Sequence, residues 1–351
     1  MSKKGIAVIV MIAMIFNLSA CGKTQQKRYE ASFLNLFDTI TMVVGFANSE
    51  EEFTNYAQII HDKLKEYNDL YDIYHNYDGI NNLKTINDNA GIAPVQVDQK
   101  IIDLIKVSKQ ADQITNDNVN IAFGAVLSVW HQYRNDGIDN PDNAKLPPIK
   151  LLKEKSQHTD INNVIIDEEL STIYLKDPEM RLDVGAIAKG YATEMVSKYV
   201  QEQGFKNGMI SVGGNVRTFG SKLNAKNNDT TWSVGIQNPN LESEQSNLYI
   251  LGLNDYSLVT SGVYERYYTV DDKQYHHIIN PDTLMPAEYF LSISIVCKDS
   301  GMADALSTSV FNMSYEEGLQ LIESLEDTEA FWVFHDGSMK FSTGFEEFIK
   351  E

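Results

Sequence analysis

Long helical patterns stand beside runs of consecutive strands, and the two do not alternate regularly. Strand-like runs follow one another closely at 231–236, 248–253, 257–260, 264–270, 275–279 and 291–296. That lack of alternation argues against a doubly wound sheet. The chain is therefore expected to be α+β, with antiparallel or mixed sheets and packed helices. No G-x-G-x-x-G follows a strand, so no Rossmann domain is expected. The spacing predicts a helix over 50–74, with Phe53, Tyr56, Ile60, Leu64, Tyr67 and Tyr71 on one stripe and acids in its first turn. A second helix is predicted over 97–114, with Ile101, Leu104, Ile105 and Ser108 inward. Further helices are expected over 302–313 and 315–325. An apolar run ends at Trp130, and 135–148, rich in Pro, Asp and Asn, reads as a surface connection where two lobes could meet, near 135–150.

The N-terminus has the pattern of a secretory signal over 1–20: Lys3 and Lys4, then an apolar core over 6–16 too short for a membrane span. Leu18-Ser19-Ala20-Cys21 reads as a bacterial lipobox, with Cys21 the lipid carrier and 21–30 a polar tether. The expectation is an exported domain over 31–351, lipid-anchored to the outer face of the bacterial membrane. The net charge of −20, more negative once Lys3 and Lys4 are removed, argues against nucleic acid and against a polybasic membrane contact. Cys297 is the other cysteine, so disulfides are not expected.

Several short segments have the composition of a binding site. In Asp183-Val184-Gly185-Ala186-Ile187-Ala188-Lys189-Gly190, two glycines bracket small apolar residues. Ile187, Tyr191, Met195 and Tyr199 then recur at helical spacing before Gly204. Such an entry offers free N–H groups and room for a ligand near the backbone, or is simply structural. Asp304 and Thr308 are four apart and share a helix face. Carboxylate, hydroxyl and carbonyl oxygens suit a hard cation such as Mg²⁺. The bland reading is an N-terminal Asp and a Thr bonded to its own turn. In Tyr275-His276-His277-Ile278-Ile279-Asn280-Pro281, alternation sends the two histidines to opposite faces, one to a site and one to solvent. Either could act as a general base, or the pair is only a polar strand end. Thr260-Ser261-Gly262 and Gly213-Gly214-Asn215 read as tight turns lining a cleft.

Taken together and in this order, with Thr260 extended through Val263-Tyr264-Glu265-Arg266, these motifs resemble the ApbE family of FAD:protein FMN transferases, from about Phe33 to the last strand. The resemblance implies an ApbE-like, T-fold-like architecture and a Mg²⁺-dependent reaction. The FMN moiety of FAD would pass to a threonine hydroxyl of a target flavoprotein in an electron-transfer system, and AMP would leave. By motif position it implies Ala186 (through its carbonyl), Asp304 and Thr308 as metal ligands. It implies Phe37, Asn120, Ile121, Ala122, Asp183, Lys189, His277 and Ile278 as FAD contacts. His277 and Asp304 become the catalytic candidates, with the choice of base left open. The chain departs from the family pattern in places. Asn280 and Leu284 stand for Asp and Gly, Val119-Asn120-Ile121-Ala122 for Phe-Asp-Pro-Thr, and Phe37-Asp38-Thr39 for Met-Gly-Thr. A hydrolase yielding FMN and AMP, and a lipoprotein that binds FAD or another solute without turnover, are the alternatives.

Overall fold

The computed structural model describes residues 10–11, 26–223 and 229–350. The lipobox and Cys21 lie outside the described residues, and among those described no helix is long and apolar enough to cross a membrane. The chain is α+β. A nine-stranded sheet runs Val10–Met11, Lys27–Leu36, Thr39–Ala47, Gly208–Val212, Asn215–Phe219, Ser257–Gly262, Ser292–Cys297, Thr328–Val333, Met339–Phe341, and each neighbouring pair is antiparallel.

Strand Ser292–Cys297 is buried along its whole length because both faces are covered. Ile293, Ile295 and Cys297 pack with Ala303, Leu306 and Val310 of helix Ser300–Phe311. Val296 points the other way, into a core with Trp232, Ile236 and Leu251. The runs expected at 231–236 and 248–253 thus form a separate hairpin, Trp232–Gln237 with Asn247–Leu253, on the second face of the sheet. Two others are shorter than the pattern predicts: Tyr267–Val270 pairs with Lys273–His276, and His277 lies just past the strand end.

Helix Glu50–Tyr71 starts where Ser49 accepts a hydrogen bond from the Glu52 N–H (3.1 Å), with Glu50–Glu52 at the positive end of its dipole. Phe53, Ile60 and Leu64 are fully buried on the largest core, each contributing about 1.5–3 kcal/mol by area. The predicted stripe holds, except that Tyr56 sits at its edge, stacked on Phe205. Helix Gln99–Ile114 buries Ile101, Leu104, Ile105 and Ser108 as expected.

Helix Gly124–Asp139 runs past Trp130, so the surface connection expected from 135 starts late. The helix continues because Gly137 lets the Tyr268 ring lie where a Cβ would come within 2.7 Å of it. Around this contact a small satellite core gathers Val126, Trp130, Leu152, Tyr268 and Leu284. Residues 135–150 edge that core, through Ala144 and Leu146.

Candidate active site

Helices Ala188–Glu202 and Ser300–Phe311 approach so closely that a Cβ on Gly190 would stand 2.1 Å from the Ser300 carbonyl oxygen. This explains the second glycine of the Asp183–Gly190 motif without a ligand: only hydrogen fits. The contacts run antiparallel. Lys198 Nζ lies 3.8 Å from Asp299 Oδ2, Glu194 Oε2 accepts the Ser300 N–H at 2.9 Å, and Asp304 Oδ2 accepts the Gly190 N–H at 2.8 Å. The ladder ends there: Ala186 lies in the turn before the helix, while Thr308 is one turn beyond Asp304 on its own helix. Buried Glu194 also pairs with Arg217 Nε (2.9 Å) and Lys198 Nζ (3.1 Å), tying both helices to the sheet.

The local consequence falls on Ala186. In a continuing helix the Gly190 N–H would bond to the Ala186 carbonyl. It bonds to Asp304 instead, and that carbonyl has no backbone partner among the described residues. The Thr308 hydroxyl also makes no hydrogen bond among the described residues, although the Thr308 carbonyl accepts one from Asn312. Asp304 is buried, and burial raises its carboxyl pKa, opposed by Lys189, whose Nζ is 3.8 Å from Oδ1, and by the Gly190 N–H. Asn215, the buried first residue of strand Asn215–Phe219, faces Asp304 and also lowers its carboxyl pKa, although its side-chain nitrogen is not within strict hydrogen-bond geometry of any group among the described residues. A carbonyl and a hydroxyl without partners among the described residues, and a buried carboxylate whose ion pair with Lys189 is 3.8 Å long, are the donor types that a hard cation takes. No group of three or more His, Cys, Asp or Glu gathers among the described residues, so a soft-metal site is not built there. Ser261 reaches the same helix, its Oγ 2.8 Å from that of Ser307.

The two histidines separate as the alternation predicts, but not with one facing solvent. His276 is buried: its Nε2 bonds to the Ala287 carbonyl at 2.8 Å and its Nδ1 accepts the Ile278 N–H at 3.2 Å. It is a structural histidine between Ala287 and Phe311. His277 Nδ1 lies 3.2 Å from the Arg266 carbonyl. A carbonyl only accepts, so Nδ1 carries the proton and Nε2 keeps a free lone pair. Burial lowers the His277 pKa to about 3, and the nearby charges of Arg266, His276 and Lys189 push the same way. His277 is therefore neutral at pH 7.

Beyond the predicted residues, His131 and Arg134 of helix Gly124–Asp139 join the site, with Arg266 and Tyr74. His131 Nε2 is 3.8 Å from Asp183 Oδ2, and its Nδ1 is 3.2 Å from the Tyr74 hydroxyl. Burial lowers the His131 pKa; Asp183 opposes this, while Arg134 and Arg266 add to it. Neither arginine has an ion-pair partner among the described residues, unlike Arg28 and Arg217. Two unpaired guanidinium groups in so acidic a chain favour an anion. The signal that could have found them is the 131/134 spacing on one helix, hidden because the apolar run seemed to end at Trp130.

The other predicted contacts are placed as follows. Asp183 Oδ1 accepts the Gly185 N–H (2.9 Å), and its own N–H donates to the Ile121 carbonyl (2.8 Å). Asn120 spends its side chain locally, accepting the Ala122 N–H (2.7 Å) and donating to the Thr159 carbonyl (2.9 Å). Ile121 and Ala122 are buried, so that segment offers backbone rather than side chains. Phe37 sits in the hairpin turn, its N–H on Asn68 Oδ1 at 2.8 Å. Ile278 is not brought to the cleft: its side chain is buried and both backbone groups are engaged.

The model of the ApbE family matches residues 37–332. The chain belongs to the ApbE family. Among its curated ApbE relatives is an FAD:protein FMN transferase from Klebsiella pneumoniae, 31% identical over 77% of this chain and 79% of that protein. Another, of the same name, is from Treponema pallidum, 32% identical over 75% and 73%. The ApbE protein of Thermotoga maritima superposes with a TM-score of 0.80 at 26% identity, covering 93% of this chain and all of that one (100%). The flavin transferase ApbE from Vibrio cholerae, at 22% identity and a TM-score of 0.74, shares the fold.

Proposed function

We propose that this enzyme transfers the FMN half of FAD to a threonine hydroxyl of a target flavoprotein and releases AMP. The observation that carries the reading is the helix junction, where Asp304 takes the Gly190 N–H and the Ala186 carbonyl has no backbone partner among the described residues. Ala186, Asp304 and Thr308 would hold Mg²⁺. When bound, the cation would neutralise phosphate charge and make phosphorus easier to attack. The relatives' names support flavin transfer.

The chain's own groups do the rest. Lys189, Arg134 and Arg266 offset the charge of the diphosphate and orient it. Phe37 and the backbone at Asn120–Ala122 border the ends of the nucleotide, and Asp183 holds His131 in place. Neutral His277, with Nε2 free, accepts the threonine proton; Asp304, committed to the Gly190 N–H and paired with Lys189, would be the poorer base. A bond forms between threonine oxygen and the phosphorus of the FMN half. The bond from that phosphorus to the bridging oxygen breaks, and AMP leaves with the electron pair. We place the enzyme outside the cell, held to the membrane by a lipid on Cys21, near electron-transfer proteins that would carry the flavin. The lipobox supports that placement.

Incubation with FAD, Mg²⁺ and a threonine-bearing acceptor tests the reading. Covalent flavin on the acceptor with equivalent AMP is expected. Free FMN with AMP and an unlabelled acceptor would make it a hydrolase, and intact FAD would overturn both.

A further inference from the structure

Strand Asn215–Phe219 packs against both helices of the junction and reaches each with one polar side chain. Its register is fixed by the turn before it. Gly213 and Gly214 have φ of 56° and 88°, the left-handed pair that suits a two-residue hairpin, and Val212 pairs with Asn215 across it. A slip of one residue would send Asn215 to the other face of the sheet. In the register observed, Asn215 and Arg217 share the helix-covered face, about 6.8 Å apart along the strand. Arg217 meets Glu194, which also accepts the Ser300 N–H, and Asn215 meets Asp304. Ser300 and Asp304 are four residues apart, about 6 Å along their helix, so strand and helix keep step.

The two ends of this contact are not equally satisfied. At one end Arg217 Nε stands 2.9 Å from Glu194 Oε2, and Arg217 Nη1 donates to the Thr218 carbonyl at 2.8 Å. At the other end Asn215 is 2% exposed, and its side-chain nitrogen has no acceptor among the described residues. A buried N–H left unpaired costs about 1–3 kcal/mol. An apolar side chain of the same size would avoid that cost, so packing alone does not explain an amide here. The group it faces is the Asp304 carboxylate. Asp304 Oδ2 accepts the Gly190 N–H at 2.8 Å, and Oδ1 lies 3.8 Å from Lys189 Nζ.

We propose that Asn215 is a positioning residue for Asp304: its amide N–H and the Gly190 N–H together hold the carboxylate in one orientation and leave its other lone pairs for the cation. A carboxylate has about four lone-pair sites, so two protein donors leave room for a ligand bond. Hydrogen bonds of this outer kind orient metal ligands and tune affinity. Lys189 is the competing partner of Oδ1. When the diphosphate draws the Lys189 ammonium, the Asn215 amide keeps the carboxylate from following it. The inference rests on the cation assignment made above.

The test follows binding of Mn²⁺, an EPR-visible divalent ion that takes oxygen ligands as Mg²⁺ does, to the whole enzyme, alone and with saturating FAD. Asn215→Leu keeps the bulk of the side chain and removes the donor, and Asn215→Ala serves if leucine does not fit. In the folded variants Mn²⁺ affinity should fall about tenfold or more. The Mg²⁺ concentration needed for half-maximal flavin transfer should rise in proportion, while the KM for FAD at saturating Mg²⁺ stays put. A purely structural asparagine predicts the reverse, a lower melting temperature with unchanged Mn²⁺ binding. That result would overturn the role given to Asn215 and leave the cation assignment standing. Wild-type enzyme that binds Mn²⁺ neither alone nor with FAD would overturn the cation assignment and this inference with it.

Discussion

The helix junction at Gly190 and Asp304 and the two turns at Phe37–Asp38 and Asn280–Leu284 border the same site but obey different constraints. At the junction the residues match the family pattern, and the geometry leaves no choice: Ser300 oxygen and Asp304 Cβ stand 2.1 and 2.5 Å from where a Gly190 Cβ would be. At the turns the residues differ from the pattern, yet the backbone keeps the shape that the pattern's glycines would favour. Phe37 and Asp38 have φ of 51° and 53°, and Leu284 has φ of 61°. The junction needs particular atoms. The turns need a particular backbone path, which non-glycine residues can follow at a cost of order 1 kcal/mol each.

Gly190→Ala should do the most damage. The helices must separate, breaking the Asp304 hydrogen bond and the Glu194 link to Ser300. We expect a loss of about 3 kcal/mol or more, read by denaturant unfolding, together with loss of cation binding. If that variant unfolds like wild type, the junction is not tight and the contrast fails. Asp304→Asn keeps the shape and an acceptor for the Gly190 N–H but removes the charge. Flavin transfer should fall by about 10²–10³-fold, about 3–4 kcal/mol, with little change in melting temperature. Normal turnover in that variant would refute the cation assignment.

Next is a pH effect. The folded His277 pKa is depressed to about 3, against an unperturbed 6.5. Between those values the unfolded chain binds the extra proton. The stability from neutral His277 is therefore full above pH 6.5, falls as pH drops through that window, and is gone below about 3. The His277 ring resonances, assigned with His277→Gln, should show no titration between pH 5 and 8.

At the turns the effects should be small and of opposite sign. Leu284→Gly relieves the positive φ but exposes the Trp130 contact and removes a buried side chain worth about 1.5–3 kcal/mol, so burial wins and the variant should lose about 1–2 kcal/mol. Asp38→Gly gives up no buried area, since Asp38 is exposed. It should gain about 0.5 kcal/mol in thermal unfolding, with flavin transfer unchanged. A loss there would mean that the Asp38 side chain, and not the turn's path, is what the site uses.

The α+β class was legible because long helices and runs of consecutive strands do not alternate, and the helix of Phe53, Ile60 and Leu64 because its stripe repeats over many turns. Asp304 and Thr308 were legible as a pair since four residues always return to the same helix face. Nothing local announces that His131, Arg134 and Arg266 meet near His277, for they come from a helix and a hairpin joined through the Tyr268 contact at Gly137. The expected outward face of Tyr275–Ile279 was also misread: alternation tells which residues oppose each other, but not that Ala287 and Phe311 would cover His276. Likewise, the spare oxygen of Ala186 depends on which of two acceptors the Gly190 N–H chooses. That choice is made when two helices, distant along the chain, close to within the width of a hydrogen atom.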